Sequence, residues 1–355
     1  MQRRTLLGKT SALAAFALLA PIACSAPPTR QEILEHLVLD VAAPDTRATL
    51  KASEQLSKAV SALAATPTLA SLGFARAAFD QALLAWKRVQ CFKNGPVVET
   101  NALVRATFWP PRPAAIETLL NGPDTIDRAR IDALGVDVKG LYALEYVLFP
   151  TGLAEDSTLA LLSSEPGQRR LRYADALAKS IVEYIRAAVE QLGDGSAFAQ
   201  RFAQNVKQSL STLVLQLTTT VEGLAVNRLG AVLGLADSHL LKPSDIEGAP
   251  SQLSAQIAAA ELAGVARFYR GQGRKTLSAL VRGISAPVDD RVLSTLADAE
   301  RALSALKSPL EVLVVKNRDL VQRALTAVKA LELALKVDLA SALGITLTFQ
   351  AGDGD

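Results

Sequence analysis

The chain has 355 residues, half of them apolar and 5% aromatic, with 38 Lys and Arg against 35 Asp and Glu, two Cys and two His. That length suits two compact units, each able to bury a core without metal or disulfide staples, and no stretch is biased enough for intrinsic disorder. Three of the bases, Arg3, Arg4 and Lys9, lie in an acid-free leader. The rest balances at 35 against 35, which leaves no electrostatic footprint for nucleic acid or an anionic membrane surface.

Residues 1–23 read as a signal peptide, with a basic start and an apolar run from Leu13 to Ile22. The run is shorter than the ~20 residues that span a bilayer. Arg3-Arg4-Thr5-Leu6-Leu7 resembles a twin-arginine export signal, with Leu6 where Phe is usual; an ordinary secretory signal carries the same charges. Ala20-Pro21-Ile22-Ala23-Cys24 resembles a bacterial lipoprotein box, with Pro21 where Leu is usual, and implies a lipid on Cys24. Cleavage a few residues later would discard Cys24 instead. Both readings place the protein in the cell envelope, in the periplasm or at the outer membrane. Cys91 is then alone and has no internal disulfide partner; a small buried apolar side chain is its plain reading.

After a short linker, 24–28, helical periodicity begins. Thr29-Arg30-Gln31-Glu32 has capping-box spacing, and Ile33, Leu34, Leu37, Val38 and Val41 follow on one stripe. Helices are expected from about Asp45 to Leu63 and from Leu69 to Cys91, the second carrying Trp86 and stopping at Asn94-Gly95-Pro96. Trp109-Pro110-Pro111 and Pro113 forbid a continuous helix and predict a loop over the scaffold. Val138 to Leu148 and Gln168 to Leu192 are helical again, then Gly193-Asp194-Gly195 breaks the chain. Beyond it, helices are expected at Ala197 to Leu235, Ser251 to Tyr269, Val288 to Lys307 and Ser308 to Leu343. Long helices with short connectors give an all-α fold of two tandem bundles, 29–193 and 194–355. The two series look like a duplicated bundle, without a residue-level repeat.

Trp86, Arg88, Arg105, Trp109 and Arg112 gather in sequence around the proline-rich loop. An indole and guanidinium lining suits an anionic or aromatic ligand. The plainer reading has Trp109 plugging the bundle end with the arginines solvated or paired. The histidines are His36, in the first helix, and His239, in a loop. A zinc peptidase needs about three protein ligands and a general base, so that supply is thin. HExxH, a nucleophile elbow, a phosphate-binding glycine loop and a dinucleotide fingerprint are all absent.

Four segments, in order, resemble the imelysin family of bacterial envelope proteins. They are Ala85-Trp86-Lys87-Arg88 through Phe92 to Asn94-Gly95-Pro96; Phe108-Trp109-Pro110; Lys139 to Phe149; and the terminus from Leu343 to Asp353-Gly354-Asp355. The resemblance implies an all-helical fold and an exported location. It also implies either metallopeptidase activity or a part in iron uptake, with iron-uptake components of the envelope as partners. The family's metal motif GxHxxE reads Gly140-Leu141-Tyr142-Ala143-Leu144-Glu145 here, with Tyr142 in the histidine place. Residues three apart share a helix face, but a phenol is a poor zinc ligand. Tyrosinate can hold ferric iron. Otherwise Tyr142 packs its ring while its hydroxyl bonds a neighbour, with Glu145 in an internal ion pair. Asp353 and Asp355 offer hard oxygens for calcium or iron, or form a frayed tail.

The expectation is therefore a non-catalytic, imelysin-like envelope lipoprotein that binds a ligand or a metal such as iron, zinc or calcium. Its alternatives are a metal-dependent peptidase with Glu145 as ligand or base, and a structural or interaction module at the outer membrane presenting the Trp109 loop.

Overall fold

The computed structural model describes residues 27–192, 196–235 and 245–346. The leader, Cys24, His239, Asp353 and Asp355 lie outside the described residues, within which every regular element is a helix.

Thr29 opens α1 (Arg30–His36) with the expected capping box: its hydroxyl accepts from the Glu32 amide at 3.2 Å, and the Glu32 carboxylate accepts from the Thr29 amide at 2.8 Å. The helix continues through a π-helical stretch, Leu37–Ala42, into α2 (Ala43–Ala65). Thr68 caps α3 (Leu69–Val89). The proline-rich stretch, expected as a loop, instead holds four short helices, α4 (Pro96–Glu99), α5 (Ala102–Thr107), α6 (Pro113–Asn121) and α7 (Arg128–Ala133). Proline at the first turn of α4 and α6 starts a helix without losing a bond, because that amide has no intrahelical acceptor. The Trp109–Pro110 peptide between α5 and α6 is cis.

A 3₁₀ turn, Val136–Val138, leads to α8 (Leu141–Leu148), the signature helix. Gly140 precedes it at φ +82°, where a Cβ would come within 2.6 Å of the Arg105 carbonyl oxygen. Glycine therefore lets α8 start hard against α5. Next come α9 (Glu155–Ser163) and α10 (Glu165–Gln191). α2 packs between α3 and α10, and α8 lies against both α3 and α10.

The segment expected as one helix from Ala197 breaks at Asn205 into α11 (Ala197–Gln204) and α12 (Val206–Gly223). There the Asn205 side-chain amide donates to the Arg201 carbonyl at 3.0 Å, competing with the helical ladder. α12 runs on as a π-helical stretch, Leu224–Gly230. α13 (Ser254–Arg270), α14 (Leu277–Ile284) and α15 (Ala286–Ser304) come after it. The last predicted helix also divides, at Asn317, into α16 (Leu310–Lys316) and α17 (Arg318–Leu333), which ends through a π-helical stretch, Ala334–Leu339, in α18 (Ala340–Leu343).

The early and late helices meet chiefly in two places among the described residues. α1 packs on α11 and α12, and α3 packs along α13. At the second, a Cβ on Gly264 would collide with the Arg88 carbonyl oxygen and sit 2.9 Å from Cys91 Sγ, so only glycine admits this approach. Phe92 then stacks on Phe268 with centroids 5.1 Å apart. The close fit brings the end of α3 beside Glu261, one turn before Gly264 on α13.

Candidate functional site

The candidate site grows from that contact. Lys87 is nearly enclosed at the last turn of α3, 2% exposed along its side chain. A buried ammonium must be paired. Its partners are Glu247, from the loop before α13, and Glu261 at 3.4 Å on α13. Arg228, in the π-helical stretch after α12, reaches the same two acids, bonding Glu247 through Nη1 and Glu261 through Nη2 at 2.9 Å and Nε at 3.3 Å. Two cations and two carboxylates thus close a neutral ring built from four separate segments. A π-helical turn carries an extra residue and so rotates the side chains beyond it, a device common at functional sites.

The signature helix lies behind this ring. Tyr142 is fully buried, its ring 5.6 Å from the Lys87 ammonium and its hydroxyl donating to Glu247. Burial first, then the Glu247 charge, hold its pKa well above the usual phenol value. The Glu247 carboxyl is pushed up by burial, but Lys87 and Arg228 outweigh that and leave it below the ordinary carboxylate range. Glu145 makes no ion pair among the described residues; it accepts from the Ser251 amide at 3.2 Å and from the Ser251 hydroxyl. Burial raises its carboxyl to about 7, against the pull of the Ser251 bonds and with help from the charges of Glu247 and Asp80. Tyr142 and Glu145 therefore both hold the 247–251 loop, at different points.

In front of the ring opens a cavity of about 560 Å³, whose wall includes Lys87, Arg228, Glu247 and Glu261 together with Lys93 and Trp109. Size and mixed lining are those of a small-molecule site.

The five residues read as a ligand lining do not share one surface. Trp86 is fully buried and donates from its indole to Ser53 at 3.1 Å. Arg88 faces the opposite side of α3, near His36 and Arg267. Arg105 lies 5.6 Å over the Tyr184 ring. Arg112, 70% exposed, pairs with Asp137 at 2.6 Å; Trp109 alone of the five borders the cavity. Exposed ion pairs contribute little, so Arg112→Ala is expected to cost under about 1 kcal/mol in urea unfolding and to leave the cavity intact. His36 pairs with Asp40 at 2.8 Å on the helix surface. Cys91 is buried and free, and burial pushes its thiol pKa up, as a small core side chain requires.

The family model described as Imelysin matches residues 42–337. The chain belongs to the imelysin family. Two solved structures share its fold at low identity. An iron-regulated protein A precursor from Parabacteroides distasonis ATCC 8503 superposes with a TM-score of 0.72 at 17% identity, covering 90% of this chain and 97% of that one. An imelysin-like protein from Psychrobacter arcticum 273-4 gives 0.72 at 16%, covering 92% and 100%. No curated protein matches the chain.

The family motif implies a metal at positions 142 and 145. The donors around those positions in this imelysin do not fit one. The Tyr142 hydroxyl and the Glu145 carboxylate are engaged by different partners, and no group of three or more His, Cys, Asp or Glu suited to an ion occurs among the described residues. A cation at the Tyr142 hydroxyl would also meet the fixed charges of Lys87 and Arg228 beside Glu247.

Proposed function

We propose that this imelysin is a non-catalytic, exported ligand-binding protein of the cell envelope that serves iron acquisition. The observation that carries the binding role is the cavity over the Lys87, Arg228, Glu247 and Glu261 ring: a sizeable site of mixed lining whose four ring charges are already neutralised by one another. Such a wall is fixed in place before a ligand arrives, which lowers the ordering cost of binding. The iron context is supported by the fold shared with the Parabacteroides iron-regulated protein A precursor. Export is supported by the Arg3-Arg4 start, the apolar run to Ile22 and Cys24.

The test pairs a phenotype with a biochemical assay. Deleting the gene is expected to slow growth under iron chelation, with rescue by the wild-type chain but not by Cys24→Ser mislocalised from the membrane fraction. The purified protein is expected to leave casein uncut with or without added zinc or ferrous iron. Cleavage that disappears in Glu145→Gln would overturn the reading in favour of a peptidase.

A further inference from the structure

Beside that cavity, with its charged ring, runs a second, more apolar cleft of about 540 Å³. The two share Gln90, Lys93, Thr107 and Trp109, so they adjoin along these side chains as a double hollow with two kinds of wall. We propose that this hollow binds a small amphiphilic anion, a molecule with an apolar body and a carboxylate-like head. The proposal rests on the ligand-binding reading above and names the class of ligand.

The apolar half is built to be covered. Val98 on α4, Val104 on α5 and Phe108 just after α5 line the cleft while 48%, 51% and 36% exposed. Their neighbours Val97 and Leu103 are buried and anchor the two short helices. Apolar side chains gathered on one concave surface mark a binding site more often than scattered ones do, and each gains free energy when an apolar body displaces water. Trp109 at the junction lines both halves and brings a rigid aromatic side chain there.

The sign of the head is set by which charges are spoken for. Lys87 and Arg228 are neutralised by Glu247 and Glu261, and Asp245 on the cavity wall has a partner of its own. Lys93 lines both halves, is exposed, and makes no ion pair among the described residues. Its position is set by the backbone: Gln216 on α12 accepts from the Lys93 amide at 3.2 Å and donates to its carbonyl at 2.6 Å. An ammonium carried by a residue whose backbone is fixed at the seam between a charged and an apolar wall selects a ligand whose negative head sits where its apolar body begins.

Isothermal titration of the mature chain with decanoate, 2-naphthoate and the neutral analogue decanol tests this. Saturable one-to-one binding of decanoate or 2-naphthoate is expected, and the preferred one reports whether the body is aliphatic or aromatic. Lys93→Met should weaken decanoate about fivefold, leave decanol unchanged, and be rescued by Lys93→Arg. Val98→Ser combined with Val104→Ser should weaken both ligands about tenfold. All three positions are exposed, so unchanged thermal melting confirms that the variants fold. Absence of saturable binding, or binding indifferent to Lys93 and to the valines, would overturn the inference. Failure here with the iron-limitation phenotype intact removes only the ligand class; casein cleavage would remove the function reading, whatever the decanoate result.

Discussion

Glu247→Ala is expected to lower the unfolding free energy by about 3–5 kcal/mol, the range for breaking a buried ion pair by removing one partner. Glu247 is nearly enclosed and serves Lys87, Arg228 and the Tyr142 hydroxyl at once. Without it, two cations compete for Glu261, and the Tyr142 hydroxyl loses its acceptor. Glu247→Gln keeps an acceptor for Tyr142 but leaves the charge imbalance, so it should recover only part of the loss. Lys87→Met in the Glu247→Ala background restores one cation against one acid. The double variant should therefore lose less than the two single losses summed, a coupling read from urea unfolding of all four proteins. A loss below about 1 kcal/mol for Glu247→Ala, or strict additivity, would show that water reaches the ring and screens it.

The long helices are legible in the sequence and the ring between them is not. Helix periodicity locates the long helices because one face of each is buried along its length, which writes Leu and Ala at steps of three and four. The breaks at Asn205 and Asn317 are hidden because neither carries proline or glycine, and the π-helical stretches are hidden because their buried residues, such as Leu224, Ala225 and Leu229 or Ala334, Leu335 and Leu339, recur at steps of one and four that an α-helix also allows. Tyr142 and Glu145 are legible through the motif they sit in. Lys87 stands between Trp86 and Arg88, both of which read as ligand contacts, and does not itself read as one. At about 100° per residue three successive side chains point three ways, so Trp86 enters the core toward Ser53, Arg88 turns to the surface, and Lys87 meets the acids. The most informative signal is a lysine flanked by apolar core positions on α3. Arg228, Glu247 and Glu261 have no comparable signal. They come from three segments whose approach depends on Gly264 and on a π-helical turn, and no spacing rule links them to residue 87.

Glu145 makes the pH dependence of stability a direct probe of the signature helix. Burial is the main cause that lifts its carboxyl from 4.5 to about 7, and the nearby Asp80, itself raised to about 6 by burial with one carboxylate oxygen lacking a hydrogen-bond partner among the described residues, adds to the rise. An acid whose folded pKa exceeds its unfolded one binds more protons folded than unfolded between the two values, so stability falls as pH rises there. The contribution is complete below about pH 4.5 and is lost as pH climbs through 7, in all about 3 kcal/mol at 1.36 kcal/mol per unit. Glu145→Gln accepts the same Ser251 bonds without ionising. The variant should therefore gain on the wild type by up to about 3 kcal/mol between pH 4.5 and 8 in urea unfolding, with most other titrating groups cancelling in the difference. A difference flat with pH would mean that Glu145 stays charged and solvated in the folded chain. Ser251 and Glu247 share one loop, and the Ser251 bonds to Glu145 tighten when a carboxylate replaces the neutral acid as acceptor. The wild-type Ser251 amide should accordingly exchange hydrogen by local opening more slowly than that of Glu145→Gln above pH 7, and match it near pH 5, even while global stability falls.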